Sequence, residues 1–157
     1  MKFVEHIVTV GGLGKIPYAP GTFGSVPGLL LGLLVHYFLR DYLKLDAVHF
    51  YILSTGLGLV FCILAQKATV RIEKTWRHDD KRIVIDELAG QYFSTVYFPV
   101  TWFYALASFA LFRFFDILKP WPISWVDQKW HDPLATLVDD LLAAVLAIAC
   151  LSWISSF

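Results

Sequence analysis

The stretch LAGQYFSTVYFPVTWFYALASFALF, residues 88–112, carries no charge, and its reading decides the fold. It can be one long membrane span or two short helices hinged at Pro99. Proline removes a helical N–H and clashes with the preceding turn, so it interrupts the helical hydrogen-bond pattern. Helical patterns also extend beyond both ends of the stretch, over residues 83–98 and 101–118. Both observations favour two helices.

Further apolar runs flank this one. A bilayer span needs about 20 mostly apolar residues. Residues 22–39 are uncharged and residues 47–65 form a clean second run. Residues 66–82 carry nine charges and read as a helix continuing into water and then turning. The last run covers residues 137–157. With a break at Pro99 there are five segments: 22–39, 47–65, 83–98, 101–118 and 137–157. Of the 13 Lys and Arg, all but Arg40 and Lys44 then fall on one side. Basic loops stay in the cytoplasm, so that side is cytoplasmic. A single span over residues 88–112 would put Asp86 and Glu87 on the face opposite Asp116 and would export Arg113, Lys119 and Lys129.

Composition agrees with a membrane protein. The chain is 57% hydrophobic and 17% charged, with a mean hydropathy of +0.61. A soluble domain lies nearer half apolar and a quarter charged. The expected fold is therefore an all-α, polytopic membrane helical bundle of about five transmembrane segments. An N-terminal interfacial or re-entrant segment precedes them. With 157 residues, one domain over 1–157 is expected. Zero net charge leaves no basic surplus for nucleic acid. Cys62 and Cys150 sit inside apolar runs and support neither a disulfide framework nor a thiolate zinc site. Glu5 and His6 interrupt the N-terminal apolar stretch, so it reads as a retained segment rather than a signal peptide.

Five carboxylates border these apolar runs: Asp86, Glu87, Asp116, Asp139 and Asp140. Charge at membrane depth is costly and calls for a partner charge, a metal or a proton path. Adjacent acids stand about 100° apart on a helix, so one of each pair can face the bundle axis squarely. Acids also favour the first turn of a helix, which offers a plain structural reading for both pairs. That reading fits Asp116 badly, because Asp116 falls near a helix C-terminus. Arg113, Asp116 and Lys119 recur at i, i+3, i+6, either as a local ion-pair ladder or as a phosphate clamp beside a metal-binding acid. Oxygen ligands of this kind suit magnesium, which takes one or two carboxylates and substrate phosphate.

Residues 11–28 hold six glycines and three prolines, including PGTFGS at 20–25. Backbone N–H groups around Gly21 and Gly24, with the hydroxyls of Thr22 and Ser25, could cradle an anion. A tight re-entrant turn is the competing reading. Trp121, Trp125 and Trp130 suit the headgroup layer. His6, His36, His49, His78 and His131 show no metal-like pairing and read as loop or interface residues.

Taken together, PGTFGS, IVIDELAG, FRFFDILKPWPI and LVDDLLAA resemble the phosphatidylglycerophosphatase A family, in that family's order. The resemblance covers nearly the whole chain. It implies a magnesium-dependent lipid phosphatase in the bacterial inner membrane, and the charge placement puts its site at the cytoplasmic face. The implied reaction converts phosphatidylglycerophosphate to phosphatidylglycerol and inorganic phosphate. The implied metal-binding and catalytic residues are Asp86, Glu87, Asp116, Asp139 and Asp140. Arg113 and Lys119 would bind phosphate, supported by Gly21, Thr22, Gly24 and Ser25. A different class of protein, a small ion or proton-coupled transporter, would also use intramembrane carboxylates. Against it, transporters show related halves with midplane sites, whereas these acids gather toward one face. A phosphotransferase acting on a nucleotide-activated lipid would need a longer Asp-rich signature than this chain has. A reporter fused at Gln128 is expected to map to the cytoplasm, and an external signal there overturns the five-segment topology.

Overall fold

The computed structural model describes residues 2–76, 80–130 and 132–156. His78 and His131 lie outside the described residues. Among the described residues there are seven α-helices and no strand. They are α1 (Lys2–Val8), α2 (Pro20–His36), α3 (Ala47–Ile72), α4 (Ile85–Val96), α5 (Trp102–Leu118), α6 (Ile123–Lys129) and α7 (Pro133–Ile154). A π-helical turn, Tyr37–Tyr42, prolongs α2.

The uncharged run breaks around Pro99. Helix α4 ends at Val96, and Thr101 caps α5 by accepting from the Tyr104 N–H at 3.4 Å. The two helices fold back as a hairpin, with the Thr95 and Ser108 hydroxyls 3.1 Å apart across it. Gln91 donates from Nε2 to Ser94 and Thr95, so a small polar network runs through the hairpin's buried face.

Three stretches are long and apolar enough to cross a membrane: Pro20–Tyr42, Ala47–Ile72 and Leu134–Ile154. Helix α4 has 12 residues and α5 has 17. At 1.5 Å per residue they reach about 18 Å and about 26 Å, less than a ~30 Å hydrocarbon core. Helix α4 is buried along almost its whole length and packs against α2, α3, α5 and α7. By contrast, α3 shows Ile52, Leu57, Val60 and Ile63 to its surroundings, as a lipid-facing helix does.

The α2–α4 pairing is the most extensive in the bundle, and small residues permit it. A Cβ on Gly28 would stand 2.3 Å from the Leu88 carbonyl oxygen. Toward the other ends of these helices, His36 Nδ1 lies 2.8 Å from the Val96 carbonyl oxygen. The Tyr92 hydroxyl donates to the Ser54 carbonyl at 2.8 Å and ties α4 to α3. The N-terminal α1 packs against α3, where Val8, Ala65, Ala68, Ile72, Ile83 and Ile85 form a second apolar cluster.

Helix α7 begins at Pro133, behind an Asp132 cap that accepts from Leu134 and Ala135. Asp139 and Asp140 are thus the seventh and eighth helical residues, beyond the first turn where the helix dipole acts. The first-turn reading therefore does not account for this pair. It still applies to Asp86 and Glu87 at the start of α4.

Gly28→Ala is expected to destabilise the protein by about 1–3 kcal/mol through overpacking. Gly56→Ala, where a Cβ meets nothing within 4 Å, should be neutral or stabilising by about 0.5–1 kcal/mol. Melting temperatures of both variants in detergent check the contrast, and equal shifts refute the close helix contact.

Candidate active site

Four helix ends and one loop converge at one end of the bundle. The first turns of α2 and α4, the last two turns of α5, the first two turns of α7 and the segment before α4 enclose a cavity of about 240 Å³. Asp86, Glu87, Asp116, Asp139 and Asp140 all line it, as do Arg113 and Lys119. The five carboxylates singled out by their apolar surroundings therefore share one wall.

They fall into different local settings. Asp86, Glu87 and Asp140 each offer an oxygen within 4.8 Å of the others, an arrangement that could hold a metal ion. Glu87 Oε2 is buried there with no hydrogen-bond partner. Three converging carboxylates with an unsatisfied oxygen fit a hard, oxygen-seeking cation. Asp140 and Asp139 are each 4% exposed, too little for water to neutralise their repulsion freely.

Asp116 is held by Arg113, whose Nη1 lies 2.5 Å from Asp116 Oδ2. The same nitrogen is 3.4 Å from Ser25 Oγ, which itself donates to the Gly21 carbonyl at 2.8 Å. Arg113 Nε is buried without a partner.

Lys119 does not continue the i, i+3, i+6 ladder. It ends α5 in a left-handed conformation at φ 44, which turns its side chain off the helical face. Its ammonium donates to Asp139 and, at 2.5 Å, to Asp127 on α6. Burial works against the Lys119 charge, but these two carboxylates outweigh burial and hold its pKa above the ordinary lysine range.

The PGTFGS segment is helical, because Pro20 occupies the first turn of α2, where its fixed φ suits a helix start. It therefore forms no alternating nest. Gly21 lines the cavity, and a Cβ there would stand 2.3 Å from Glu87 Oε1. Ser25 is buried and supports Arg113 from behind. Gly24 packs on Val84, and Thr22 is half-buried; among the described residues neither is part of the cavity wall.

Three polar residues at the site were not singled out from sequence: Lys81 and Thr136, which line the cavity, and Asp127, which holds Lys119. Thr136 stands three and four residues before Asp139 and Asp140, and that helical spacing was a usable signal. Asp127 and Lys81 belong to segments whose path no local pattern specifies.

A family model described as phosphatidylglycerophosphatase A matches residues 6–155 of this chain. A phosphatidylglycerophosphatase A of Haemophilus influenzae is 40% identical over 146 residues, covering 91% of this chain and 83% of that protein. The Escherichia coli protein of the same name is 32% identical over 151 residues, covering 95% and 82%. A Bacteroides thetaiotaomicron protein, provisionally named a phosphatidylinositol-3-phosphatase, is 30% identical over 160 residues, covering 98% and 96%. No solved structure matches the chain.

Gly21→Ala is expected to push Glu87 out of the acidic cluster and weaken divalent-cation binding about tenfold. Titration calorimetry with magnesium on the purified protein reads this directly, and an unchanged affinity removes Glu87 from the ligand set.

Proposed function

We propose a function from one premise: this chain belongs to the phosphatidylglycerophosphatase A family. It dephosphorylates phosphatidylglycerophosphate to phosphatidylglycerol and inorganic phosphate. The observation that carries the reading is the joining of an acidic cluster to Arg113 and Lys119 within one cavity. Residues 1–157 act as one membrane-embedded lipid phosphatase domain. Family membership disfavours the transporter.

Asp86, Glu87 and Asp140 are the residues that would hold magnesium. When bound, the cation would neutralise phosphate charge and make water a better nucleophile. The remaining roles belong to side chains. Arg113 presents its guanidinium fork to the phosphate oxygens, positioned from behind by Ser25 and Gly21. Lys119 supplies a point charge and stabilises the phosphoryl group in transfer. Asp139, hydrogen-bonded to Lys119 and outside the three-acid cluster, accepts a proton from the attacking water. Asp116 fixes Arg113. Water adds to phosphorus as the bond to the glycerol oxygen breaks, and that oxygen takes up the proton Asp139 accepted and leaves as the alcohol of phosphatidylglycerol.

The lipid's acyl chains remain in the bilayer while its headgroup enters the cavity. The protein is a multi-pass protein of the bacterial inner membrane with α4 and α5 as its third and fourth segments. The cavity opens to the cytoplasm, as the basic loops suggest. The lipids named for the relatives share one chemistry. Phosphatidylglycerophosphate and phosphatidylinositol 3-phosphate each carry a terminal phosphomonoester and a lipid-side phosphodiester on one polyol.

Purified protein in detergent is expected to release phosphate from phosphatidylglycerophosphate with magnesium and to stop with EDTA. Asp86→Asn and Asp139→Asn should each lower turnover by about 100-fold or more while circular dichroism stays that of the unmodified protein. Unmodified turnover by either variant sinks its assigned role, and no release by the folded parent protein sinks the reaction.

A further inference from the structure

Resting on the reading above, we infer that Lys81 binds the lipid-side phosphodiester of the substrate, so the cavity recognises a headgroup carrying two phosphates. Among the described residues, Arg113, Lys119 and Lys81 are the cations lining the cavity. Arg113 is committed to Asp116, and Lys119 to Asp127 and Asp139. Lys81 forms no ion pair with any described residue and is exposed at the cavity wall. A headgroup with a monoester and a diester brings more negative charge than the two inner cations can match, since both are already opposed by carboxylates.

A built turn holds Lys81 in place. Asp80 accepts from the Arg82 N–H at 3.1 Å through Oδ1 and from the Ile83 N–H at 2.8 Å through its carbonyl. The Arg82 guanidinium forks onto the Asp80 carboxylate at 2.8 and 2.7 Å and lies 3.9 Å from the Trp76 ring centre. The neighbouring cation is thus fixed by its own partners. The turn is anchored on both sides. Val84 donates to the Val8 carbonyl at 2.9 Å, and a Cβ on Gly14 would stand 2.1 Å from the Arg82 carbonyl oxygen. The chain then enters α4 through Ile83 and Ile85, both buried, and reaches Asp86. The Lys81 backbone therefore keeps a set position relative to the acidic cluster, within side-chain reach of the cavity. In the substrate a three-carbon glycerol bridge separates the two phosphates. A monoester bound between Arg113 and Lys119 leaves the diester to extend toward the cavity wall where Lys81 stands.

The test compares a two-phosphate ligand with a one-phosphate ligand at the same site. For Lys81→Gln, the KM for phosphatidylglycerophosphate in mixed micelles should rise about tenfold, the loss of one charge-assisted hydrogen bond. The inhibition constant of inorganic phosphate, which has no diester, should stay within about twofold of the parent value. Lys81→Arg should restore most of the KM. An unchanged KM in Lys81→Gln overturns the proposal, as does a parallel rise in the phosphate inhibition constant, which would assign Lys81 to the reacting phosphate. Absence of release by the parent protein fails the underlying reaction instead, and this assignment falls with it.

Discussion

Mutual repulsion among Asp86, Glu87 and Asp140 is the constraint from which the architecture of this bundle end follows. Two full charges 4.8 Å apart repel by about 3–4 kcal/mol at an effective dielectric of about 20, and three of them do so in every pairing. Asp116 and Asp139 add to that load from the same wall. Apolar side chains do not offset such a cluster, so cations from neighbouring segments are drawn to the same wall. Helix α5 brings Arg113, and its left-handed end redirects Lys119 across to α7. The short α6 gives Lys119 a second partner in Asp127. The cation proposed for the three acids would complete the balance.

Close backbone approach then decides how accurately these groups meet. Helix α2 contributes almost no charge to the site, yet it sets the geometry. Gly28 lets it lie directly on α4, and Gly21 leaves the space that Glu87 and Arg113 occupy. Bulk at either position would separate elements whose side chains must converge within a few ångströms. The glycine-rich start of α2 is therefore a spacer that sets distances, with Ser25 as its one polar contact to Arg113.

Much of this was legible in the amino-acid sequence, for physical reasons that differ by residue. Pro99 announced a break because it has no N–H to give. The acids stood out because charge beside long apolar runs is expensive. Boundaries were harder. The last helix begins at Pro133 rather than 137, since Asp132 and Pro133 make a good start that apolar content alone conceals. The direction of Lys119 was invisible, because it depends on a left-handed helix end at a residue type that seldom adopts one. The glycine segment read as either an anion nest or a tight turn, because composition does not separate these from a tightly packed helix. Asp127 and Lys81 lie where chain path, not periodicity, brings a side chain to the site.

The shortness of α4 bears on how the protein is made. A helix of 12 residues that opens with two acids and carries Gln91 gains too little from lipid to enter a bilayer unaided. Its surface is satisfied by neighbours: α2 through glycine contacts, α3 through the Tyr92 hydroxyl, and α5 through the Thr95–Ser108 pair. Helices α2 and α3 precede it in the chain and are long and apolar enough to insert first. In the topology proposed above, helix α4 would follow as one arm of a hairpin with α5, packed against the earlier helices. Helix α7, synthesised last, then closes the acidic wall. In the topology proposed above, this order would assemble the charged site only after its scaffold has inserted, and the costly cluster would not meet lipid as a unit.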